Sequence, residues 1–196
     1  MRADVQGPAD VVARVCGALL REDCDAARAI AVAEYPFIRH ANTGRKYTEL
    51  QSMRVFLRDR FTDRYSGARL VFPATLRLLS KVMPEEFPAH PNWKMSDCHI
   101  VYWELFPTID HVVPVARGGS DDEPNWVTTS MLRNAAKSNW TLGELGWSLR
   151  SVDPDDAWDG LVCWCLDYLA AHPEHLSDKY IARWHRAALT ALETST

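Results

Sequence analysis

The stretch Thr108-Ile109-Asp110-His111-Val112-Val113-Pro114-Val115-Ala116-Arg117-Gly118-Gly119, continued by Asn125-Trp126-Val127-Thr128-Thr129 and Asn134-Ala135-Ala136-Lys137, decides how this chain is read. Leu105 to Val115 is apolar and rich in β-branched residues, with Asp110 and His111 as its only ionisable members. It predicts a strand that enters a turn at Arg117-Gly118-Gly119. Trp126 to Thr129 predicts a short second strand, and Ser130 is placed to cap a helix running through Leu132 and Ala136 to about Ser138. The order is therefore strand, turn, strand, helix, with His111 at the end of the first strand. A carboxylate beside an imidazole, followed by two asparagines, can hold one divalent metal ion and activate one water next to it.

Outward from this unit the chain reads as helical. Val12, Val15, Cys16 and Leu19 recur at helical spacing, and Ala26 to Glu34 is a second helix-prone stretch that Pro36 ends. Ala41-Asn42-Thr43-Gly44 reads as a loop. Glu49 to Arg60 predicts an amphipathic helix with Met53, Phe56 and Leu57 inward, and Arg64-Tyr65-Ser66-Gly67 a turn. Pro73 opens a short helix through Leu76, Leu79, Val82 and Met83. Pro84, Pro88 and Pro91 make the stretch to Asp97 a structured loop. In the last third, Trp158, Leu161, Val162, Cys165, Leu166 and Leu169 trace one apolar helical face, and Tyr180, Ile181, Trp184, Ala188 and Leu192 another. Stripes of this kind are packing surfaces.

With 196 residues and 47% hydrophobic composition the chain can bury a real core. It has no run of 18 apolar residues, so no membrane partner is expected. Met1-Arg2-Ala3-Asp4 lacks the blocks of a secretion signal, and the expected location is the cytoplasm. The five cysteines (Cys16, Cys24, Cys98, Cys163 and Cys165) form no C-x-x-C pair, which argues against a disulfide framework or a zinc knuckle. Net charge is −4, which by itself argues against a nucleic-acid partner, but the charge is uneven. Residues 39–81 hold ten basic residues (Arg39, Arg45, Lys46, Arg54, Arg58, Arg60, Arg64, Arg69, Arg77 and Lys81) against three acidic ones, a surplus of +7. Residues 144–196 carry −5. A basic face for phosphates with an acidic face elsewhere fits that asymmetry.

The ordered series around His111 resembles the HNH nuclease family, whose core is a ββα-metal fold. Asp-His before x-x-Pro, then Arg-Gly-Gly, Asn-x-Val-Thr and Asn-x-x-Lys follow the family's order, with Asn125 14 residues after His111 and Asn134 9 after Asn125. Tyr65-Ser66-Gly67 is similar to its upstream Tyr-Cys-Gly knuckle. The match spans about residues 54–140. Chemistry and resemblance agree that His111 is the general base and that Asp110 binds Mg²⁺ or Mn²⁺. The resemblance implies that Asn134 is the second metal ligand, and that Asn125 orients the histidine and braces the turn. Arg133 and Lys137 share a helix with Asn134 and are expected to hold phosphates, as is Arg117 on the turn. His40, His90, His99, His172, His175 and His185 lack an ordered set of partners; His99 lies nearest the motif strand.

The chain also departs from the family pattern. Ser66, Ser130 and Arg133 stand where cysteines often occur, so no structural zinc is expected. Trp93, Trp103, Trp126 and Trp140 are then the natural packing around the motif. The segment 68–109 is longer than in compact members. These expectations amount to an α+β fold, a mostly helical domain around a ββα-metal core. Its regions are 1–53 (helical), 54–140 (core with the insertion) and 141–196 (helical), together one compact unit. The implied activity is metal-dependent hydrolysis of DNA phosphodiester bonds. Alternatives are a nuclease for RNA or modified DNA, and a subunit that binds or assembles on nucleic acid without cutting. One such site cuts one strand per event, which leaves a homodimer or larger complex open.

Overall fold

A computed structural model describes residues 7–37, 46–90, 92 and 94–194. Arg39, His40, the loop 41–44, Arg45, Pro91 and Trp93 lie outside the described residues. The chain divides into two compact units, residues 1–43 and 44–196. The boundary expected at 53 thus falls earlier, and the single unit expected becomes two.

The smaller unit is a pair of helices, α1 (Pro8–Leu20) and α2 (Cys24–Glu34). Pro8 at the first helical position starts α1, and the Asp23 side chain accepts from the Ala26 N–H to cap α2. Val11, Ala18 and Ala27 are buried between them, and an Arg14–Glu34 ion pair links their surfaces.

The larger unit holds α3 (Glu49–Arg58), α4 (Pro73–Val82), α5 (Val101–Glu104), β1 (Pro107–His111), β2 (Trp126–Ser130), α6 (Met131–Lys137), α7 (Leu142–Leu145), α8 (Val162–Ala171) and α9 (Lys179–Glu193). It is mixed α+β, helices around one antiparallel two-stranded sheet. Thr48 and Gln51 form a reciprocal cap at the start of α3. One apolar core joins Met53 and Phe56 of α3 to Phe61, Leu70, Phe72 and Leu78, to Trp126 of β2, and to Val162, Cys165, Leu169, Ile181, Trp184 and Ala188 of the last two helices. The C-terminal helices are therefore part of the same core as α3. The long segment 68–109 is also core: Val71, Leu76, Tyr102 and Trp103 make a second buried cluster beside the first. No helix among the described residues is long and apolar enough to cross a membrane.

Three expectations need correction. The first strand is Pro107–His111 rather than Leu105–Val115, because Pro114 has no N–H and the Val113 backbone is taken by the Asn125 side chain. Trp158 and Leu161 precede α8 rather than belong to it: Leu161 sits at φ +64°, and Trp158 Nε1 donates to the Leu70 carbonyl. Trp103 and Trp126 are buried, but Trp140 is 51% exposed and packs no core.

Both outer edges of the sheet are sealed by side chains. On the β2 side, the buried carboxylates of Asp59 and Asp63 accept from the Thr128 and Ser130 N–H groups at 2.8 and 3.1 Å, while the Arg64 N–H donates to the Thr128 carbonyl. On the β1 side, α6 supplies the donors. Asn134 Nδ2 and Lys137 Nζ reach the outward carbonyls of Ile109 and His111, while the Met131 N–H continues the ladder to the Phe106 carbonyl. Asn134 and Lys137, three apart and so on one face of the helix, bridge successive outward carbonyls.

Asp178 anchors α9. Its carboxylate accepts from the Tyr180 and Ile181 N–H groups and pairs with Arg77 and Lys81. Burial pushes its pKa up, but the Lys81 hydrogen bond, the two backbone donors and the Arg77 charge outweigh that and bring it down to about 2. Because the folded pKa lies below the unfolded one, the stabilisation is complete above about pH 4 and is lost as pH falls toward 2. Asp178→Ala is expected to cost about 1 kcal/mol of stability at pH 7. The wild-type advantage should shrink in denaturant melts taken at successively lower pH, and a pH-independent difference would contradict this account.

Candidate functional site

His111 ends β1 opposite Trp126 of β2, and Asn134 lies on α6, which packs against both strands. Asp110, His111 and Asn134 line one cleft of about 280 Å³, together with Tyr47, Ile109, Pro114, Val115, Ser138 and Asn139. The structure thus brings the residues singled out as base and metal ligands into one concave site.

Asp110 is 8% exposed. Its Oδ2 accepts from the Tyr65 hydroxyl at 2.6 Å and pairs with Lys137 Nζ at 2.9 Å. Burial, and then the Asp110 charge, push the Tyr65 phenol far above its usual range, so Tyr65 stays protonated and donates. Lys137 was expected on the phosphate side, and the structure overturns that. It is fully buried, with its ammonium between Asp110 and the His111 carbonyl and 5.8 Å from the centre of the Tyr65 ring. A cation with no exposed surface cannot meet a phosphate; this one ties α6 to the end of β1.

Asn134 Nδ2 donates to Thr108 Oγ1 and to the Ile109 carbonyl at 3.0 and 3.2 Å. Those bonds fix the amide, leaving Oδ1 as its acceptor. Asn125 is buried, accepts from the Val113 N–H, and donates to the Val113 and Ser120 carbonyls. These bonds tie the turn together, and none of them goes to the imidazole. The turn itself demands glycine. Gly118 has φ +90°, and a Cβ on Gly119 would fall 1.9 Å from the Val113 carbonyl oxygen.

The His111 ring is held by Trp126 of the motif and by Asp121 and Tyr47, which the motif does not contain. Its Nε2 lies 2.8 Å from Asp121 Oδ1, 3.2 Å from Trp126 Nε1 and 3.4 Å from the Tyr47 hydroxyl. The His111 bond holds the Asp121 carboxyl below the usual carboxylate range. Asp121 escaped sequence reasoning; the available signal was an acidic residue just past the Gly-Gly turn that folds back on the strand end.

The remaining cations are partly spent. Arg117 pairs with Glu144 at 3.2 Å and reaches the Asn139 carbonyl, so it stands beside the cleft. Arg133 lies over the Trp147 ring at 5.5 Å, with Asp63 3.9 Å away. Both side chains keep over two fifths of their surface exposed. Within the basic segment, Arg58, Arg60, Arg64, Arg69 and Arg77 all hydrogen-bond to protein groups, many of them distant in sequence. His99 is structural: its Nδ1 accepts from the Val101 N–H.

As a cation site the cleft offers one carboxylate and one amide oxygen. Among the described residues no group of three or more His, Cys, Asp or Glu side chains comes together. Two hard oxygen donors fit Mg²⁺ or Mn²⁺, which keep several waters, and do not fit zinc. Comparisons with models of known protein families, with curated proteins and with solved structures find no match.

Proposed function

We propose that this cleft is the hydrolytic site of an HNH-type endonuclease acting on DNA with Mg²⁺ or Mn²⁺. The observation that carries the reading is the convergence of Asp110, His111 and Asn134 on one cleft, at the end of β1 and the facing side of α6. Their order along the chain, with Asn125 bracing the turn between the strands, supports the same class.

His111 takes the proton from the water that attacks phosphorus, and the bond from phosphorus to the 3′ oxygen breaks. Asp110 and Asn134 would hold the cation, since Oδ2 of Asp110 and Nδ2 of Asn134 are engaged within the protein and each side chain keeps a second oxygen for a ligand. A bound cation supplies charge neutralisation at the phosphate and the leaving oxygen. Tyr65 and Lys137 keep Asp110 in place, and Arg117 and Arg133 steady neighbouring phosphates.

The test is supercoiled plasmid incubated with Mg²⁺, Mn²⁺ or EDTA. Conversion to open circles in either metal, abolished by EDTA, is the expected result. Intact plasmid throughout points to a restricted substrate or a site that does not cut, and the same assay on RNA and modified DNA then decides between the two. One observation favours a second reading, a protein that binds nucleic acid without cutting. Lys137 satisfies Asp110 without any metal ion. Binding that survives EDTA, with no cleavage of any substrate in either metal, would favour it.

A further inference from the structure

We infer that Asp121 is the positioning residue for His111, holding the imidazole in the tautomer with hydrogen on Nε2 and the lone pair on Nδ1. The inference rests on the hydrolytic reading of the cleft for its consequence, though not for its geometry.

The argument is one of donors and acceptors. Trp126 Nε1 is a donor only, and a carboxylate is an acceptor only. Three groups crowd Asp121 Oδ1: His111 Nε2 at 2.8 Å, Trp126 Nε1 at 3.2 Å and the Tyr47 hydroxyl at 3.2 Å. If Nε2 carried the lone pair, it would face a carboxylate oxygen at 2.8 Å, acceptor against acceptor. With hydrogen on Nε2, the imidazole, the indole and the phenol all donate to one carboxylate, and each has a partner. The 3.2 Å and 3.4 Å approaches of Trp126 and Tyr47 to Nε2 are then neighbours on a shared acceptor. The whole cluster is braced by the Tyr47 ring, set edge-on to Trp126 at 4.9 Å.

This arrangement leaves Nδ1 as the basic atom, and no described residue hydrogen-bonds to it. A fixed ring with one lone pair reserved is what a general base requires, since the wrong tautomer would present N–H to the water. Asp121 side-chain exposure is 45%, so it can be replaced without opening the core.

The experiment has two independent readouts. In metal-free protein labelled with ¹⁵N-histidine, nitrogen shifts taken at a pH above which they no longer change report the tautomer directly. The His111 signals are identified by their loss in His111→Ala. Wild type is expected in the Nε2–H form, Asp121→Ala in a mixture, and Asp121→Asn, which retains an acceptor oxygen, close to wild type. A wild-type Nδ1–H form, or an unchanged tautomer in Asp121→Ala, overturns the inference. In plasmid nicking, Asp121→Ala is expected to lower kcat about 10- to 100-fold with KM within about 3-fold, and Asp121→Asn to recover most of the loss. An unchanged kcat, or an effect on KM alone, overturns the positioning role. Should no nucleic acid be cut by wild type, the hydrolytic reading fails, while the nitrogen shifts still decide whether Asp121 sets the tautomer.

Discussion

Replacing His111 with alanine is expected to slow phosphodiester cleavage by about 10²- to 10⁴-fold, the contribution of a well-placed general base. The fold should survive. The ring is 6% exposed, but its polar partners do not depend on it: Trp126 Nε1 and the Tyr47 hydroxyl each keep Asp121 Oδ1 as an acceptor. The Lys137 bond to residue 111 goes to the backbone carbonyl and is retained. Single-turnover nicking rates for wild type and variant, with thermal melts as a control for folding, check this. On the proposed hydrolytic reading, affinity for DNA should change little, because the imidazole would act on the water while other groups hold the phosphate. Equal rates in the two proteins would mean that hydrolysis happens elsewhere or not at all.

The second large effect is on stability. Lys137→Met is expected to destabilise the protein by about 3–5 kcal/mol, the cost of leaving a buried charge without its partner. At about 2–4 °C per kcal/mol for a chain of this size, the melting temperature should fall by roughly 6–20 °C. Lys137 has no exposed surface, and its loss strands the Asp110 carboxylate and the His111 carbonyl together. The double variant Asp110→Asn, Lys137→Met removes the orphaned charge and should recover a large part of the loss, a coupling that a double-mutant cycle reads directly. A single-variant shift of only a degree or two would show that the lysine does not hold α6 to β1.

The sequence made the centre of the site legible and hid its surroundings. Asp110, His111, Asn125 and Asn134 could be placed because a strand, a glycine turn and a capped helix fix their spacing locally. Asp121 could not, because its contact with His111 exists only once Gly118 and Gly119 reverse the chain. Lys137 was misplaced for a different reason. A lysine on a helix is solvated by default, and nothing in its neighbours along the chain reveals an aspartate and a carbonyl waiting behind it. The basic run at 39–81 misled in the same way. Arg60 and Arg69 meet Asp156, Arg64 meets the Arg150 carbonyl, and Arg77 meets Asp178, all partners supplied by the C-terminal third. Charges that look like a phosphate-binding face in one dimension are partly the struts between two halves of one core. Elsewhere local signals sufficed: Thr48, Ser130 and Asp178 cap helices in the ordinary way.

The sealed edges of the small sheet bear on how copies of this chain can associate. An open strand edge is a template on which another chain can add a strand, and a two-stranded sheet would have two such edges. Here the outward N–H groups of Thr128 and Ser130 are consumed by Asp59 and Asp63, that of Trp126 by the Glu123 carbonyl, and the outward carbonyls of Ile109 and His111 by α6. An incoming strand would have to displace buried carboxylates on one side or the Asn134 and Lys137 side chains on the other, dismantling the cleft as it docked. Edge-to-edge growth is thereby closed off, and any dimer that keeps its cleft intact must be built through helices or loops.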